Sequence, residues 1–171
     1  PRPNKLFLLA GNYAQHIEEG GGIAAERAET FPYVFMKPPT TTLTHPGSPV
    51  RIPKVSPGHV DWELELAVVI GKTARQVSEA DALSHVLGYT CANDVSARDW
   101  QGQWGGTQWC RGKTFATFCP LGPCLVTRDE IPDPQQLGIR TVLNDEVMQS
   151  SSTQDMIFDV PELISFLSQG T

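Results

Sequence analysis

The sequence has no long uninterrupted run of apolar residues, because 15 glycines and 14 prolines divide its 171 residues into short segments. A membrane-spanning helix needs about 20 consecutive, mainly apolar residues, so a membrane is not an expected partner. Basic runs are also missing, since 13 Lys and Arg residues face 19 Asp and Glu residues and the formal net charge is −6. Nucleic acids are bound through clustered positive charge, so we expect no nucleic-acid partner.

Cysteine is scarce as well, with four residues at positions 91, 110, 119 and 124. Their spacing matches no zinc or redox motif, so we expect reduced and mostly buried thiols, as is usual in a reducing compartment. The first residues, Pro1 to Lys5, lack the apolar core of a secretory signal. We therefore expect a cytoplasmic protein, unless a leader has been removed.

The short segments between the glycines and prolines are rich in apolar residues, many of them β-branched or aromatic, which is typical of strands. We predict strands over 5–10, 34–37, 62–70, 86–92, 115–118, 124–127 and 139–143. Short helices are predicted to begin at Asn12, at Ser78 and after Val160-Pro161. Because we find no internal repeat, low-complexity tract or linker, we predict a single, mainly β domain with few short helices.

An acidic stretch from Asp61 to Glu65 precedes a run of apolar residues. In an extended strand, alternate residues point to opposite faces, so Asp61, Glu63 and Glu65 would share one face. Three like charges there repel one another and favour a bound cation, and carboxylate oxygens suit Mg²⁺, Mn²⁺ or Ca²⁺ better than zinc or copper. An edge strand with a solvated acidic face is the alternative.

The first predicted helix carries His16 and Glu19, which are three residues apart and therefore on one face. A carboxylate beside an imidazole orients the ring and makes it a better general base. A surface pair without catalytic function is the alternative. The helix is followed by a glycine run and by residues 24–29, whose composition favours a mobile cover that carries the pair to a site on closure.

Two further segments contain candidate charged residues. Asp94 follows a predicted strand, where it is either a functional carboxylate or the N-cap of the next turn. The Gly112-Lys113-Thr114 triplet resembles part of a phosphate-binding loop, but position 107 is Thr rather than the glycine that the motif requires. Lys113 is better interpreted as a fixed positive charge beside a carboxylate substrate.

Six short motifs occur along the chain in a fixed order. They are Asn12-Tyr13 with His16 and Glu19, Phe35-Met36-Lys37-Pro38, Asp61-Trp62-Glu63-Leu64-Glu65, Asn93-Asp94, Arg111-Gly112-Lys113-Thr114-Phe115 and Pro120-Leu121-Gly122-Pro123. This ordered string resembles the fumarylacetoacetate hydrolase family, and the resemblance covers nearly the whole chain. It implies a mixed β-sandwich roll of the type found in the family's C-terminal domain. It also implies a homodimer that acts on a small 2-oxo acid with Mg²⁺ or Mn²⁺, with Ca²⁺ as a further option.

The resemblance assigns residue roles position by position. Glu63, Glu65 and Asp94 match the family's three metal carboxylates, which leaves Asp61 as a neighbour. Lys113 matches the active-site lysine.

The remaining matches concern the surroundings of the metal. His16 and Glu19 match a lid dyad that activates water in the acylpyruvate hydrolases, and the resemblance makes both catalytic residues together with Lys113. Tyr13, Lys37 and Thr117 match substrate-binding positions, with Thr117 close to the metal.

Two departures from the family pattern concern Ala116 and the C-terminal residues. Many relatives have Asp at position 116, and the family's Thr-Gly-Thr-Pro segment should follow soon after Gly170-Thr171. We therefore expect residues 1–171 to be a single catalytic domain that lacks its C-terminal end, or a protein that is impaired in catalysis.

The function implied by the resemblance is metal-dependent hydrolysis of a C–C bond in an acylpyruvate or fumarylacetoacetate-like acid. His16 would activate water, and Lys113 would stabilise the negative charge that develops on the substrate. The same residues suit an isomerase of 2-hydroxyhepta-2,4-diene-1,7-dioate or an oxaloacetate decarboxylase, since neither reaction needs an attacking water. A metal-binding homologue without turnover is the third alternative.

Overall fold

The computed structural model of the chain describes residues 3–19, 21–24, 29–106 and 108–171. The predicted cover over 24–29 lies mostly outside these residues. The described residues form ten strands: β1 (Phe7–Ala10), β2 (Tyr33–Met36), β3 (Leu43–Thr44), β4 (Val60–Asp61), β5 (Leu64–Ile70), β6 (Val86–Asn93), β7 (Ser96–Ala97), β8 (Cys119–Thr127), β9 (Gly138–Leu143) and β10 (Glu146–Ser152). The helices are short: α1 (Ala14–Glu19), α2 (Pro39–Thr42), α3 (Glu79–Ala82), α4 (Arg98–Gln101), α5 (Cys110–Lys113) and α6 (Val160–Ser168).

The strands form mixed sheets, which confirms the prediction of a mainly β fold with few short helices. A four-stranded sheet has the order β3-β8-β6-β5, and β3 pairs with β8 in parallel. Three two-stranded sheets join β1 to β2, β4 to β7 and β9 to β10, the last two as antiparallel pairs. Among the helices of the described residues, none combines the length and the apolar character that are needed to cross a bilayer.

The chain divides into two compact units. The first unit contains Pro1–Leu8, Val34–Ala67 and Thr90–Cys124, and the second contains Leu9–Tyr33, Val68–Tyr89 and Leu125–Thr171. A division by packing does not determine which segments fold independently, so the single catalytic domain over 1–171 stays a prediction.

The core of the first unit lies beneath the turn between β6 and β7 and the start of β8. Val95, Ala97 and Phe118 are buried together there, and Phe118 packs against Phe115 with a distance of 5.3 Å between ring centroids. Burial of such side chains is the main favourable contribution to folding, and here it fixes the backbone that directly follows Asp94.

The second unit is organised around α6. Its N-cap is Asp159, whose side chain accepts a hydrogen bond from the Glu162 backbone N–H, and Pro161 occupies the first turn. On the buried side of this helix, Ser165 Oγ donates to the Val77 carbonyl oxygen at 2.8 Å. The helix predicted after Val160-Pro161 and the helix predicted at Ser78 are both confirmed, since Ser78 caps α3.

Three local predictions are wrong. Residues 115–118 do not form a strand but a turn, in which Thr117 has a φ of 70° in the left-handed region, and β8 begins only at Cys119. Asn12 does not cap α1, because its side-chain amide exchanges two hydrogen bonds with the backbone of Phe158. The four cysteines are free thiols as expected, but they are not mostly buried, since Cys91 and Cys124 are exposed.

Candidate functional site

The acidic stretch does not form one continuous strand. Strand β4 ends at Asp61 and β5 begins at Leu64, so Trp62 and Glu63 form a break between them. At this break, the Glu63 backbone N–H donates to Asn93 Oδ1 at 3.1 Å, and the Asp94 backbone N–H donates to the Glu63 carbonyl oxygen at 2.8 Å. The break in one strand and the end of β6 are therefore bonded to each other. The expectation that Asp61, Glu63 and Glu65 lie on one face of a single strand does not hold, because the strand is interrupted at Glu63.

Asp94 lies between two buried lysines of the first unit. Lys37 Nζ is 2.5 Å from Asp94 Oδ1, and Lys113 Nζ is 2.7 Å from Asp94 Oδ2. The exposed fractions of the Lys37 and Asp94 side chains are 0% and 1%. Charges buried this deeply are tolerated only when they are paired and hydrogen-bonded. The folded chain is therefore stable only if Lys37, Asp94 and Lys113 stay in contact.

Backbone carbonyl groups complete the surroundings of Lys37. Its ammonium group donates to the carbonyl oxygens of Val95 at 2.8 Å and Phe118 at 2.6 Å. Both carbonyl groups belong to the turns that flank the cluster, so Lys37 fixes those turns as well as the carboxylate. The charge of Lys37 lies beneath the protein surface. Its predicted substrate-binding role stays a prediction.

Lys113, at the end of α5, has three partners. Its ammonium group donates to Glu63 Oε2 at 2.8 Å, to Asp94 Oδ2 at 2.7 Å and to Ser96 Oγ at 2.7 Å. Three donors are the full capacity of an ammonium group, so Lys113 holds both carboxylates in a fixed orientation. We name Lys37, Glu63, Glu65, Asp94 and Lys113 the carboxylate–lysine cluster.

Arg98 lies beside this cluster. Its Nε and Nη2 donate to Asp61 Oδ2 at 2.9 and 2.7 Å, and its Nη1 donates to Glu63 Oε1 and to Gln101 Oε1. Glu63 is therefore bonded to Arg98 through one oxygen and to Lys113 through the other. Asp61 pairs with Arg98, and its interpretation as a neighbour of the metal ligands stays a prediction.

The two glutamates of the cluster differ electrostatically. Burial opposes the ionisation of Glu63, but Lys113 and Arg98 outweigh it and hold the pKa of its carboxyl below the ordinary value. For Glu65, burial together with the charges of Asp94 and Glu63 raises the pKa to about 8. In the described part of the chain, the Glu65 carboxylate has no hydrogen-bond or ion-pair partner. Ionisation of Glu65 is thus unfavourable in the metal-free chain.

Burial also shifts the pKa of two further groups of the cluster, Asp94 and Lys37. It raises the pKa of Asp94 in spite of the two lysines, and it lowers the pKa of Lys37 in spite of Asp94. Each shift favours the neutral form, as expected for charges that have been removed from water.

The chemistry of these residues fits a hard divalent cation, although their arrangement is not that of a preformed metal site. Glu63, Glu65 and Asp94 offer only carboxylate oxygens, which suit Mg²⁺, Mn²⁺ or Ca²⁺, and a nearby cation would favour the ionised form of Glu65, which burial, Asp94 and Glu63 disfavour. Nevertheless, no group of three or more His, Cys, Asp or Glu side chains in the described ranges is close enough to enclose a metal. The ammonium group of Lys113 bonds to two of the three carboxylates instead.

The remaining predicted residues are His16, Glu19, Tyr13 and Thr117, which are not members of the carboxylate–lysine cluster. His16 and Glu19 are exposed on α1 in the second unit, and Glu19 accepts a hydrogen bond from Gln15 rather than from His16, among the interactions of the described residues. Tyr13 is half-buried in the same unit, where its backbone bridges to Met156. Thr117, in the first unit, donates to the Ala116 carbonyl oxygen and accepts from the Arg51 backbone N–H. The roles of these four residues stay predictions.

Sequence reasoning missed Arg98 and Ser96. Both follow Asp94 within five residues, so the polar segment after the strand was visible, but their contacts depend on the pairing of β4 with β7. Each of these strands has only two residues, and no hydrophobic periodicity can be recognised over so short a length.

A family profile described as "Fumarylacetoacetate (FAA) hydrolase C-terminal" matches residues 5–171. A mitochondrial oxaloacetate tautomerase from Xenopus laevis is 46% identical over 168 residues, which are 98% of this chain and 50% of that protein. The chain thus spans about half the length of the curated relatives that it matches.

Two solved structures are similar over nearly the whole chain. The 5-carboxymethyl-2-hydroxymuconate delta-isomerase from Mycobacterium smegmatis is 40% identical with a TM-score of 0.85, and the match covers 100% of this chain and 64% of that one. The 2-hydroxyhepta-2,4-diene-1,7-dioate isomerase from Mycobacterium marinum is 38% identical with a TM-score of 0.82, and the match covers 98% and 58% of the two chains.

Proposed function

Because the chain belongs to the fumarylacetoacetate hydrolase family of enzymes, we propose that it isomerises small 2-oxo or 2-hydroxydienoate dicarboxylic acids. The reaction is a proton transfer next to a carbonyl group, such as the interconversion of the keto and enol forms of oxaloacetate. Isomerisation, exemplified by 2-hydroxyhepta-2,4-diene-1,7-dioate, was one of the alternatives to hydrolysis in the sequence interpretation. The names of the similar proteins favour it, since they include a tautomerase and two isomerases.

The observation that carries the proposal is the buried Lys37–Asp94–Lys113 arrangement beside Glu63. Removal of a proton next to a carbonyl group by a solvent base leaves negative charge on the carbonyl oxygen, and preorganised positive charge stabilises that charge until the proton returns at the other position. Lys113 carries such a charge, and its three hydrogen bonds orient it. Lys37 orients Asp94 from the opposite side and needs no contact with the substrate for this task.

Glu63, Glu65 and Asp94 are the residues that we propose hold the divalent cation, Mg²⁺ or Mn²⁺. When bound, the cation would supply a Lewis acid for the oxygens of a 2-oxo acid. Their all-oxygen donor set supports this assignment, and so does the lack of a hydrogen-bond or ion-pair partner for the Glu65 carboxyl group among the described residues. Lys113 must then give up part of its bonding to Glu63 and Asp94, which leaves its ammonium group available to an anionic substrate.

Hydrolysis is the less supported reaction. It requires a water molecule activated by a base, and the resemblance assigned that task to His16 oriented by Glu19. The orienting hydrogen bond between these two side chains is not among the interactions of the described residues. Isomerisation needs no attacking water, so it does not require His16 and Glu19 to activate one.

A substrate panel tests the proposal. The purified chain with Mg²⁺ is mixed with the enol form of oxaloacetate and, separately, with an acylpyruvate, and the loss of enol absorbance and the release of pyruvate are both followed. We expect faster loss of the oxaloacetate enol without matching release of pyruvate, and loss of this activity in Asp94→Asn. Pyruvate released from the acylpyruvate would establish hydrolysis instead, and pyruvate released from oxaloacetate would establish decarboxylation.

A further inference from the structure

Two of the four cysteines, Cys91 and Cys124, are exposed thiols to which the proposed function assigns no role. Cys91 belongs to β6 and Cys124 belongs to β8, and these strands are neighbours in the four-stranded sheet. Cys119 differs from them, because burial raises the pKa of its thiol to about 11 and keeps it protonated and unreactive. Cys91 and Cys124 are therefore far more open to reagents in solution than Cys119.

Two backbone hydrogen bonds show how β6 and β8 run relative to each other. The Arg128 N–H, which directly follows β8, donates to the Leu87 carbonyl oxygen at 3.2 Å, and the Val95 N–H donates to the Phe118 carbonyl oxygen at 3.2 Å. Residue numbers rise along β6 while they fall along β8, so the two strands are antiparallel. In an antiparallel pair, residues that are joined by such a bond lie directly opposite each other.

The bond between Leu87 and Arg128 sets the register of the pair. Equal steps from this bond along both strands place Cys91 directly opposite Cys124. Hydrogen-bonded and non-hydrogen-bonded positions alternate along the ladder. In this register Pro123, which has no N–H, occupies a non-hydrogen-bonded position, where proline is tolerated.

The bond between Val95 and Phe118 follows a register that is displaced by two residues. If the displaced register continued along β8, Pro120 would occupy a position at which the ladder needs an N–H donor. The displacement is therefore a bulge at the start of β8, on the Phe118 side of Cys124. The register at the two cysteines is the one set by the other bond.

We propose that Cys91 and Cys124 form a peroxide-sensitive dithiol, which closes into a disulfide bond between β6 and β8. Residues directly opposite in a hydrogen-bonded antiparallel pair have side chains on the same face and Cα atoms about 5.5 Å apart. Disulfide bonds usually join residues whose Cα atoms are about 4.4–6.8 Å apart, so the sheet can accept the bond with little adjustment. In a reducing compartment such a bond is transient and serves redox sensing.

The oxidation consumes one molecule of hydrogen peroxide for each disulfide bond. The thiolate of one cysteine attacks the peroxide, the O–O bond breaks, and a sulfenic acid and water are formed. The second thiol attacks the sulfenic sulfur, the S–S bond forms, and a second water molecule leaves. Two electrons pass from the thiols to the peroxide, and the two thiol protons end in the two water molecules.

The disulfide bond would close a loop over residues 92–123, which contains Asp94 and Lys113. Such a crosslink restricts the unfolded chain and thereby favours the folded one. The oxidised chain should therefore melt at a temperature higher by about 5 °C or more. Reduction of the bond should return the melting temperature to its original value.

The experiment treats the reduced wild-type chain with a small excess of hydrogen peroxide, blocks the remaining thiols with N-ethylmaleimide and maps linked peptides by mass spectrometry under non-reducing conditions. We expect the loss of two of the four thiols and one linked pair, which contains Cys91 and Cys124. Dithiothreitol should restore all four thiols. Cys110→Ser is the matched control, because Cys110 is a partly exposed cysteine of the same unit, and this variant should form the same bond.

Cys91→Ser and Cys124→Ser should form no disulfide bond within the chain and should show no rise in melting temperature on oxidation. The proposal is overturned if the linked pair contains Cys110 or Cys119, if Cys91 and Cys124 are oxidised without being linked, or if they link two chains. It is also overturned if the pair forms equally fast in urea, since the strands would then not be what brings the thiols together. Mapping of the wild-type chain decides the matter even if a serine variant fails to fold.

Discussion

Lys37 shows at the scale of one residue how strongly the site depends on paired burial. Its ammonium group has no exposed surface and is bonded to Asp94 and to two backbone carbonyl oxygens. Loss of one partner from a buried ion pair leaves an uncompensated charge, which is far more unfavourable than the loss of an exposed pair.

We predict that Lys37→Met lowers the free energy of unfolding by about 3–5 kcal/mol, because Asp94 loses a partner and two carbonyl groups lose a donor. Urea denaturation of the metal-free protein measures this change. Lys54→Met, which removes an exposed lysine of the same unit, is the control and should change the free energy of unfolding by less than about 1 kcal/mol. Equal effects of the two substitutions would mean that the buried pair does not stabilise the fold.

Glu65 gives a pH-dependent prediction at the same scale. Its pKa is raised from 4.5 to about 8, chiefly by burial and then by the charges of Asp94 and Glu63. A carboxyl group whose pKa is higher in the folded than in the unfolded chain contributes its full stabilisation at pH values below the pKa of the unfolded chain. This contribution is lost as the pH rises through the pKa of the folded chain. The metal-free protein should therefore lose stability between pH 4.5 and about 8 through this residue.

Glu65→Gln should reduce the loss of folding stability with rising pH, because an amide resembles the protonated acid and does not titrate. Melting temperatures measured across the pH range in the presence of a chelator test this, with the exposed Glu146→Gln as the control. We expect the wild-type curve to fall more steeply with pH than the Glu65→Gln curve, while Glu146→Gln follows wild type. Parallel curves for all three proteins would refute the raised pKa.

At the scale of secondary-structure elements, the ends and breaks of strands supply the site. Glu63 lies in the break between β4 and β5, Asp94 follows β6, and Lys113 ends a single helical turn. The strand predicted over 115–118 failed for a related reason. The Phe118 carbonyl group accepts a hydrogen bond from Lys37 Nζ and another from the Val95 backbone N–H. This segment is therefore bonded to the site rather than to a strand ladder.

Helix α1 carries the second element-scale prediction. His16→Ala should abolish any hydrolysis of acylpyruvates while it leaves the interconversion of the oxaloacetate tautomers measurable, since only hydrolysis needs an activated water. Both activities are measured on one preparation, and Gln15→Ala on the same helix is the control. Full acylpyruvate hydrolysis in His16→Ala would exclude this residue as the base for water.

At the scale of the whole molecule, much of the fold class and part of the site could be predicted from the sequence. The ordered motifs identified the family, and the similarity to solved structures confirms the fold that the resemblance implied. The carboxylates were recognisable because acidic residues beside apolar strands are conspicuous. The bonding of Lys37 to Asp94 was not, since these residues are 57 positions apart and no local pattern specifies a long-range ion pair.

The assembly is a further prediction at this scale. We propose a homodimer, as the family resemblance implies, and sedimentation velocity should give a mass twice that of one chain. A single species with the mass of one chain would contradict it. The cytoplasmic location also stays a prediction, and the name of the Xenopus laevis relative places that protein in mitochondria.

The central claim is that the cluster around Asp94 catalyses proton transfer next to a carbonyl group, and proton NMR of oxaloacetate in D₂O with Mg²⁺ tests it most directly. One time course follows both the exchange of the C3 protons for deuterium and the appearance of pyruvate. We predict that the wild-type chain accelerates exchange at C3 well before pyruvate accumulates, and that Asp94→Asn exchanges at the uncatalysed rate. Exchange at the uncatalysed rate with wild type, or pyruvate formed as fast as C3 exchanges, would contradict the account.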